Sequence, residues 1–244
     1  MLLFLYTNNH KALFLCLGVN NMKTIAIDGA CRRNGQPDCI SAGSCFIVVE
    51  EDNVEQSFVI SDHETMSTSQ RGELTGLLLA FEHIAIAPVD TVIITDSEYL
   101  FNTITKRWVD RWVHNNWQTA EGTDVKNKDL WMKIWDIYST IEDYVTMFHI
   151  KGHLLSVGMK KYHDLMYADV TGYSLYKWVR ENKQIREDKL EHALALSEMN
   201  NGFRPDLELL QKFAAMNAAV DAVANLCIEA YESAQWRSML KISD

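Results

Sequence analysis

The spacing of apolar positions changes several times between residues 23 and 153, and each change marks an element. The run "KTIAIDGAC" from Lys23 is short and rich in β-branched residues, and it breaks at the polar, glycine-containing loop "RRNGQPD". "AGSCFIVVEE" and "VEQSFVISD" follow with a two-residue gap, so one strand and then a hairpin-like pair are expected. From Ser69, "SQRGELTGLLLAFEHIA" places Leu74, Leu77, Leu78 and Phe81 at helical spacing, with Ser69 as the expected N-cap and Pro88 just beyond the end. "DTVIITDSEYL" is an apolar strand that ends in polar residues. A Trp-rich helical stretch, a helix from about 128 to 142 and the strand "YVTMFHIKG" come next. Three strands, helix, strand, helices and strand in that order predict a mixed α/β sheet. Further on, "DKLEHALALSEMNNG" reads as a short helix ending at Gly202, and "RPDLELLQKFAAMNAAVDAVANLCIEAYESA" as a long helix with Pro205 at its start.

Composition narrows the picture. A chain of 244 residues with 48% hydrophobic content can bury one substantial core, or a core with an added lobe. Lys plus Arg total 23 against 33 Asp plus Glu, and a net charge of -10 excludes polyanion binding through the whole surface. Any nucleic-acid contact must be local. The five cysteines, Cys16, Cys31, Cys39, Cys45 and Cys227, are odd in number and contain no C-x-x-C pair, which fits reduced thiols in a cytoplasmic protein. Residues 1–21 are apolar but broken by Asn8, Asn9, His10 and Lys11, and neither half spans a bilayer. They lack a charged leading region and a small-residue cleavage site, so no membrane or secretory role is expected. Met22, followed by a lysine and a strand, looks like a more natural start, and residues 1–22 are expected to be an N-terminal extension or an over-called start.

Candidate chemistry emerges when acids are placed on these elements. Asp28 falls near the end of the first strand, Glu73 in the first turns of the first helix and Asp96 at the end of the fourth strand. If those elements are neighbours, three carboxylates converge. Carboxylate oxygens are hard ligands suited to Mg2+ or Mn2+, and clustering them at neutral pH is costly without cations. Each acid alone would read as a solvated loop residue; the three together point to a metal site. His153 by itself would read as a structural histidine at a strand end, and Trp108, Trp112 and Trp117 as core residues.

The stretches "IDGACRRNG", "STSQRGELTGLLLA", "ITDSEYL", "NNWQTAEGTDVKNKDLW" and "IKGH" change those readings. In this order, over most of residues 23–153, they resemble the successive signatures of type 1 ribonuclease H of a bacterial or phage-like kind. The resemblance implies a ribonuclease H-like mixed five-stranded sheet flanked by helices, here with an α-helical C-terminal insertion. It also implies a Mg2+-dependent endonuclease that hydrolyses the RNA strand of RNA/DNA hybrids with two metal ions, leaving 5′-phosphate and 3′-hydroxyl ends. Mn2+ is the expected substitute. Asp28, Glu73 and Asp96 match the family's metal-binding carboxylates, and His153 matches a histidine that helps deliver water or protons and release product. Asn34, Ser69 and Gln70 match groove-contacting positions, although Asn-Asn is more usual where this chain has Ser69-Gln70. Thr68 matches a residue that binds a DNA phosphate, whereas Arg111 stands where that pocket often has Asn. Trp108, Trp112 and Trp117, with Lys106, Arg107 and Arg111, resemble the substrate-binding protrusion of some bacterial members.

After "KGH" the family's closing N-x-x-x-D motif should follow almost at once. Asp164 and Asp169 lack an Asn four residues earlier, while Asn217 and Asp221 have the spacing, and "NAAVDAVAN" resembles the closing motif. Asp221 is therefore the expected fourth metal ligand, with Asp164 the alternative. The chain divides into a ribonuclease H core over 23–153, a helical insertion over 154–216 and a closing helix over 217–244 that completes the site. The insertion carries nine basic and nine acidic residues. Its "YSLYKWVRENKQIR" stretch could extend substrate contact or bind a protein partner; packing against the sheet edge near the site is the other reading. A DNA-cleaving nuclease of the same fold, of resolvase or transposase type, and a non-catalytic hybrid-binding module remain the rival functions. A monomer in the cytoplasm, or in a host's cytoplasm if the gene belongs to a phage, is expected.

Overall fold

A computed structural model of the chain describes residues 23–51, 54–155, 158–169 and 172–239. The expectation for residues 1–22 lies outside them. Strands β1 (Lys23–Arg32), β2 (Ile40–Glu51) and β3 (Val54–Thr65) form an antiparallel meander, and β4 (Thr91–Thr95) and β5 (Val145–His149) run parallel to β1. The order across the sheet is β3-β2-β1-β4-β5. This is the expected mixed five-stranded sheet.

Side chains alternate between the two faces of each strand, so a sheet with both faces covered needs apolar residues at every inner position. On one face Ile25, Ile27, Cys45, Ile47 and Ile93 pack beneath helices α1 (Ser69–Ile86) and α4 (Lys128–Ile141), with Leu74, Leu77, Phe81 and Trp131 wholly buried. The short helices α2 (Glu98–Thr105) and α3 (Trp108–His114) lie between β4 and α4 in the chain. On the other face Ala26, Phe46, Ile94 and Phe148 are covered by α6 (Tyr173–Asn182), α7 (Glu187–Asn201) and α8 (Leu207–Met239). The short α5 (Met159–Ala168) precedes them. Leu175, Tyr176, Val179 and Phe213, all from residues 154–216, are fully buried in the same cluster as the sheet residues, so this segment forms part of the main core.

Three details differ from the sequence pattern. The α1 N-cap is Thr68, whose hydroxyl accepts from the Arg71 N–H at 3.4 Å, and Ser69 is the first helical residue. A side-chain oxygen one residue earlier reaches the unpaired N–H groups of the first turn better. Helix α3 stops at His114, and Asn116 and Trp117 adopt left-handed conformations (φ 52° and 60°), so Trp117 does not continue its helical spacing. Helices α5 and α6 add to the two helices expected beyond His153.

Over Leu207–Ala234, α8 is long and apolar enough to cross a bilayer by length and composition, but 67% of its apolar 18-residue window is buried inside the protein. Its far end is tied to β1 by ion pairs of Arg32 with Glu229 (2.8 Å) and Glu232 (2.6 Å), and of Arg33 with Glu232 (3.0 Å). The helix thereby lies along the strand that carries Asp28.

Candidate active site

Parallel pairing of β1 with β4 runs through Ala26 opposite Ile94, so two residues further on Asp28 and Asp96 stand side by side at adjacent strand ends. Glu73 arrives from α1, and glycine makes the approach feasible. A Cβ on Gly29 would lie 2.2 Å from the Glu73 nitrogen, and one on Gly76 would lie 2.9 Å from the Ser44 carbonyl oxygen. Helix and strand backbones touch here without intervening side chains. As a result, one oxygen each from Asp28, Glu73 and Asp96 falls within 4.8 Å of the others. Asp221 on α8 stands outside that triangle but close enough for its charge to act on Asp28 and Glu73. Its carboxylate accepts from Asn225 Nδ2 at 3.0 Å. The exposed Asp164 is not among the principal charges acting on the cluster.

Burial and mutual repulsion act in the same direction on these acids. Burial raises the Asp28 carboxyl well above its ordinary range, and Glu73, Asp96 and Asp221 raise it further, against one N–H from Gly29. Burial, then Asp96 and Asp221, push Glu73 up to about 8. Burial also raises Asp96 and Asp221, and the nearby His153 opposes the rise at both. Glu73 Oε2 is buried with no hydrogen-bond partner among the described residues. An unpaired carboxylate oxygen surrounded by other acids is satisfied by a proton or a cation, and an all-oxygen donor set suits a hard divalent ion. The residues therefore fit a divalent metal.

The other candidates fall into three groups. His153 is exposed in a turn with φ 53° and faces Asp96 and Asp221. Asn34 and Ser69 meet: Asn34 Nδ2 donates to the Ser69 hydroxyl (3.3 Å) and the Ser69 N–H to Asn34 Oδ1 (3.4 Å). Thr68 is occupied by capping, and Gln70 Oε1 is buried without a partner among the described residues. Trp108, Arg111 and Trp112 line a groove with Asn115 and Gln118. Within it Arg111 is exposed and donates to the Lys106 carbonyl at 2.9 Å. Trp112 stands edge-on to the buried Trp131 with ring centres 5.5 Å apart, and both Trp112 and Trp117 are half-buried against the core. Trp112 therefore combines the packing and groove readings, and Trp117 shows the packing one.

Sequence reasoning assigned no role to three neighbours of the cluster. Asn217 is buried beside Asp96 and favours its charged form. His149 is buried with its ring against the Asp96 backbone, and burial lowers its pKa. Gly152 lies so close to Asp96 that a Cβ would stand 2.5 Å from Oδ2. The polar spacing Asn217, Asp221, Asn225 along an otherwise Ala-rich helix was the available signal for the first.

A β3-β2-β1-β4-β5 sheet with carboxylates gathered where β1 and β4 end is a ribonuclease H-like fold with a cluster that fits a divalent metal. The chain belongs to the RNase H family, whose model matches residues 20–161. It is 34% identical over 134 residues to a ribonuclease H of Clostridium botulinum, covering 54% of this chain and 85% of the relative. It is also 34% identical over 130 residues to one of Chlorobium luteolum, covering 53% and 82%. A solution structure of the PFV RNase H domain aligns at 17% identity and a TM-score of 0.47, covering 66% of this chain and 98% of that domain. The family match ends at residue 161, before Asn217 and Asp221.

Proposed function

We propose that this protein is an endonuclease that hydrolyses the RNA strand of RNA/DNA hybrids with Mg2+, using two ions and leaving 5′-phosphate and 3′-hydroxyl ends. The observation that carries the reading is the convergence of Asp28, Glu73 and Asp96 within 4.8 Å in a member of this family. Those three residues would hold metal together with Asp221. When bound, divalent cations supply charge neutralisation at the scissile phosphate, a lowered pKa for the attacking water and stabilisation of the leaving oxygen.

The remaining steps belong to the chain's own side chains. His153, exposed and facing Asp96 and Asp221, carries protons to and from the reacting oxygens, work suited to an imidazole near neutral pH. Asn217, buried beside Asp96, favours its charged form against the burial that raises its pKa. The paired Asn34 and Ser69, with Gln70, present hydrogen-bonding groups to the minor groove, where a 2′-hydroxyl distinguishes RNA from DNA. Thr68 and Arg111 meet phosphates of the DNA strand, and Trp108, Trp112 and Trp117 offer apolar faces to its sugars.

The test is cleavage of a labelled hybrid, a DNA duplex and an RNA duplex with Mg2+, Mn2+ or a chelator. Wild type should cut only the RNA of the hybrid and should require metal. Asp28→Asn and Asp221→Asn should each lower kcat by about 10²–10³-fold, with Asp164→Asn close to wild type. An inactive Asp164→Asn beside an active Asp221→Asn would move the fourth ligand to residue 164. Cleavage of duplex DNA in place of the hybrid would overturn the substrate.

A further inference from the structure

Helix α7 lies beyond the matched residues 20–161, yet it holds both ends of the segment that leads to His153. At its C-terminus, Asn201 Oδ1 accepts from the His149 N–H at 2.7 Å and Asn201 Nδ2 donates to the His149 carbonyl at 2.9 Å. His149 is the last residue of β5, an edge strand. A single side-chain amide thus takes the place of a further strand at the outward-facing backbone groups of this residue. The preceding Asn200 places Nδ2 2.8 Å from His149 Nδ1. Twelve residues before Asn201, near the start of the same helix, Lys189 Nζ donates to the His153 carbonyl at 3.3 Å.

Between these two grips the segment touches the metal-site residues. The Ile150 N–H donates to the carbonyl of Thr95 at 3.0 Å, one residue before Asp96, and Gly152 abuts the Asp96 carboxylate. His153 itself holds a left-handed backbone (φ 53°), a conformation that a non-glycine residue keeps when its surroundings enforce it.

We infer that α7 is a splint for the His153 turn, and that Asn201 and Lys189 are positioning residues that set where this imidazole stands relative to Asp96 and Asp221. The inference rests on the reading of His153 as a proton carrier in hybrid cleavage. Neither residue touches the three-carboxylate cluster, so their effect passes through the backbone of residues 149–153.

The test uses the full chain with Asn201→Ala, Lys189→Ala and Lys189→Arg. In metal-free protein, amide hydrogen exchange over residues 149–155 should quicken by about tenfold in both alanine variants, with β1 unchanged. On hybrid with Mg2+, kcat should fall about tenfold or more while KM stays within about twofold, and Lys189→Arg should recover most of the rate. Unchanged exchange and kcat in both alanine variants would overturn the inference. So would a raised KM with kcat retained, which would make α7 a substrate contact, or faster exchange throughout the sheet, which would make these residues general stabilisers. A wild-type protein that leaves the hybrid intact would defeat the functional reading; the exchange measurement would still decide whether α7 holds the segment.

Discussion

Glu73 shows most directly what the site asks of single residues. Its carboxyl is pushed from the ordinary 4.5 to about 8, first by burial and then by Asp96 and Asp221. A folded-state value above the unfolded one favours the folded protein only while the group keeps its proton. The contribution is complete below pH 4.5 and is lost as pH rises through about 8. Metal-free protein should therefore have a lower thermal midpoint at pH 8.5 than at about pH 6, and Glu73→Gln should flatten the profile and stabilise the metal-free protein at pH 8 by on the order of 1–3 kcal/mol. Added Mg2+ should raise the wild-type midpoint more at the higher pH, because it competes with the proton for the same oxygens. Thermal unfolding across that range checks all three, and a midpoint that climbs with pH in the absence of metal would sink the account. Asp28, Glu73 and Asp96 were legible in the sequence because the three together fall at element ends and within motifs that resemble the family's, although each alone would read as a solvated loop residue. Asn217 and His149 were not assigned roles, since one polar residue in an apolar helix or strand does not say which neighbour it will face.

Among the elements, α1 and β1 meet backbone to backbone, and this contact delivers Glu73. Gly76→Ala would set a Cβ 2.9 Å from the Ser44 carbonyl oxygen and 3.0 Å from that of Asp28. Neither backbone can give way cheaply, so a loss of about 1–3 kcal/mol is expected, together with a fall in kcat as Glu73 shifts. Chemical denaturation and hybrid cleavage on the same variant would check it; full stability with full activity would show that the helix has slack. The α1 pattern was readable from its leucine spacing, whereas the reason for Gly72 and Gly76 became visible only once β1 and β2 lay beneath them. Helices α5 and α6 had no comparable signal. α6 buries Leu175, Tyr176 and Val179 at helical spacing, but it is only ten residues long and its basic and aromatic residues read as a contact surface.

For the molecule as a whole, residues 154–216 and the closing helix supply one entire side of the core. Phe213→Ala should cost about 3–5 kcal/mol, a core-sized loss; a change under about 1 kcal/mol would make the segment an appendage. The charge distribution also acts at this scale. With a net charge of -10, with Arg32 and Arg33 committed to Glu229 and Glu232, and with Arg107 paired to Asp110 (2.6 Å) and Glu142 (3.4 Å), hybrid binding is expected to draw on few cations, Lys106 and Arg111 among them. Affinity should fall with salt along a shallow slope of about -2 to -3 in log K against log salt, measured with chelator to prevent cleavage. A slope near -8 would mean a wider basic footprint than the groove beside Trp108 provides.

The sequence by itself determined the kinds of elements, the mixed sheet and the three acids of the metal cluster, because those depend on period, propensity and short motifs carried by a few consecutive residues. Only the tertiary structure decided which distant residues join them. Asp221 comes to the cluster because α8 lies across β1 and is held there by Arg32, and α7 grips His149 and His153 because its face is buried against the edge of the sheet. Such pairings span 36 to 200 residues and are set by which faces bury together, a property of the packed core that no local pattern records. The "KGH" run whose usual continuation was missing thus has an acid from α8 beside its histidine and, as inferred above, a splint from α7.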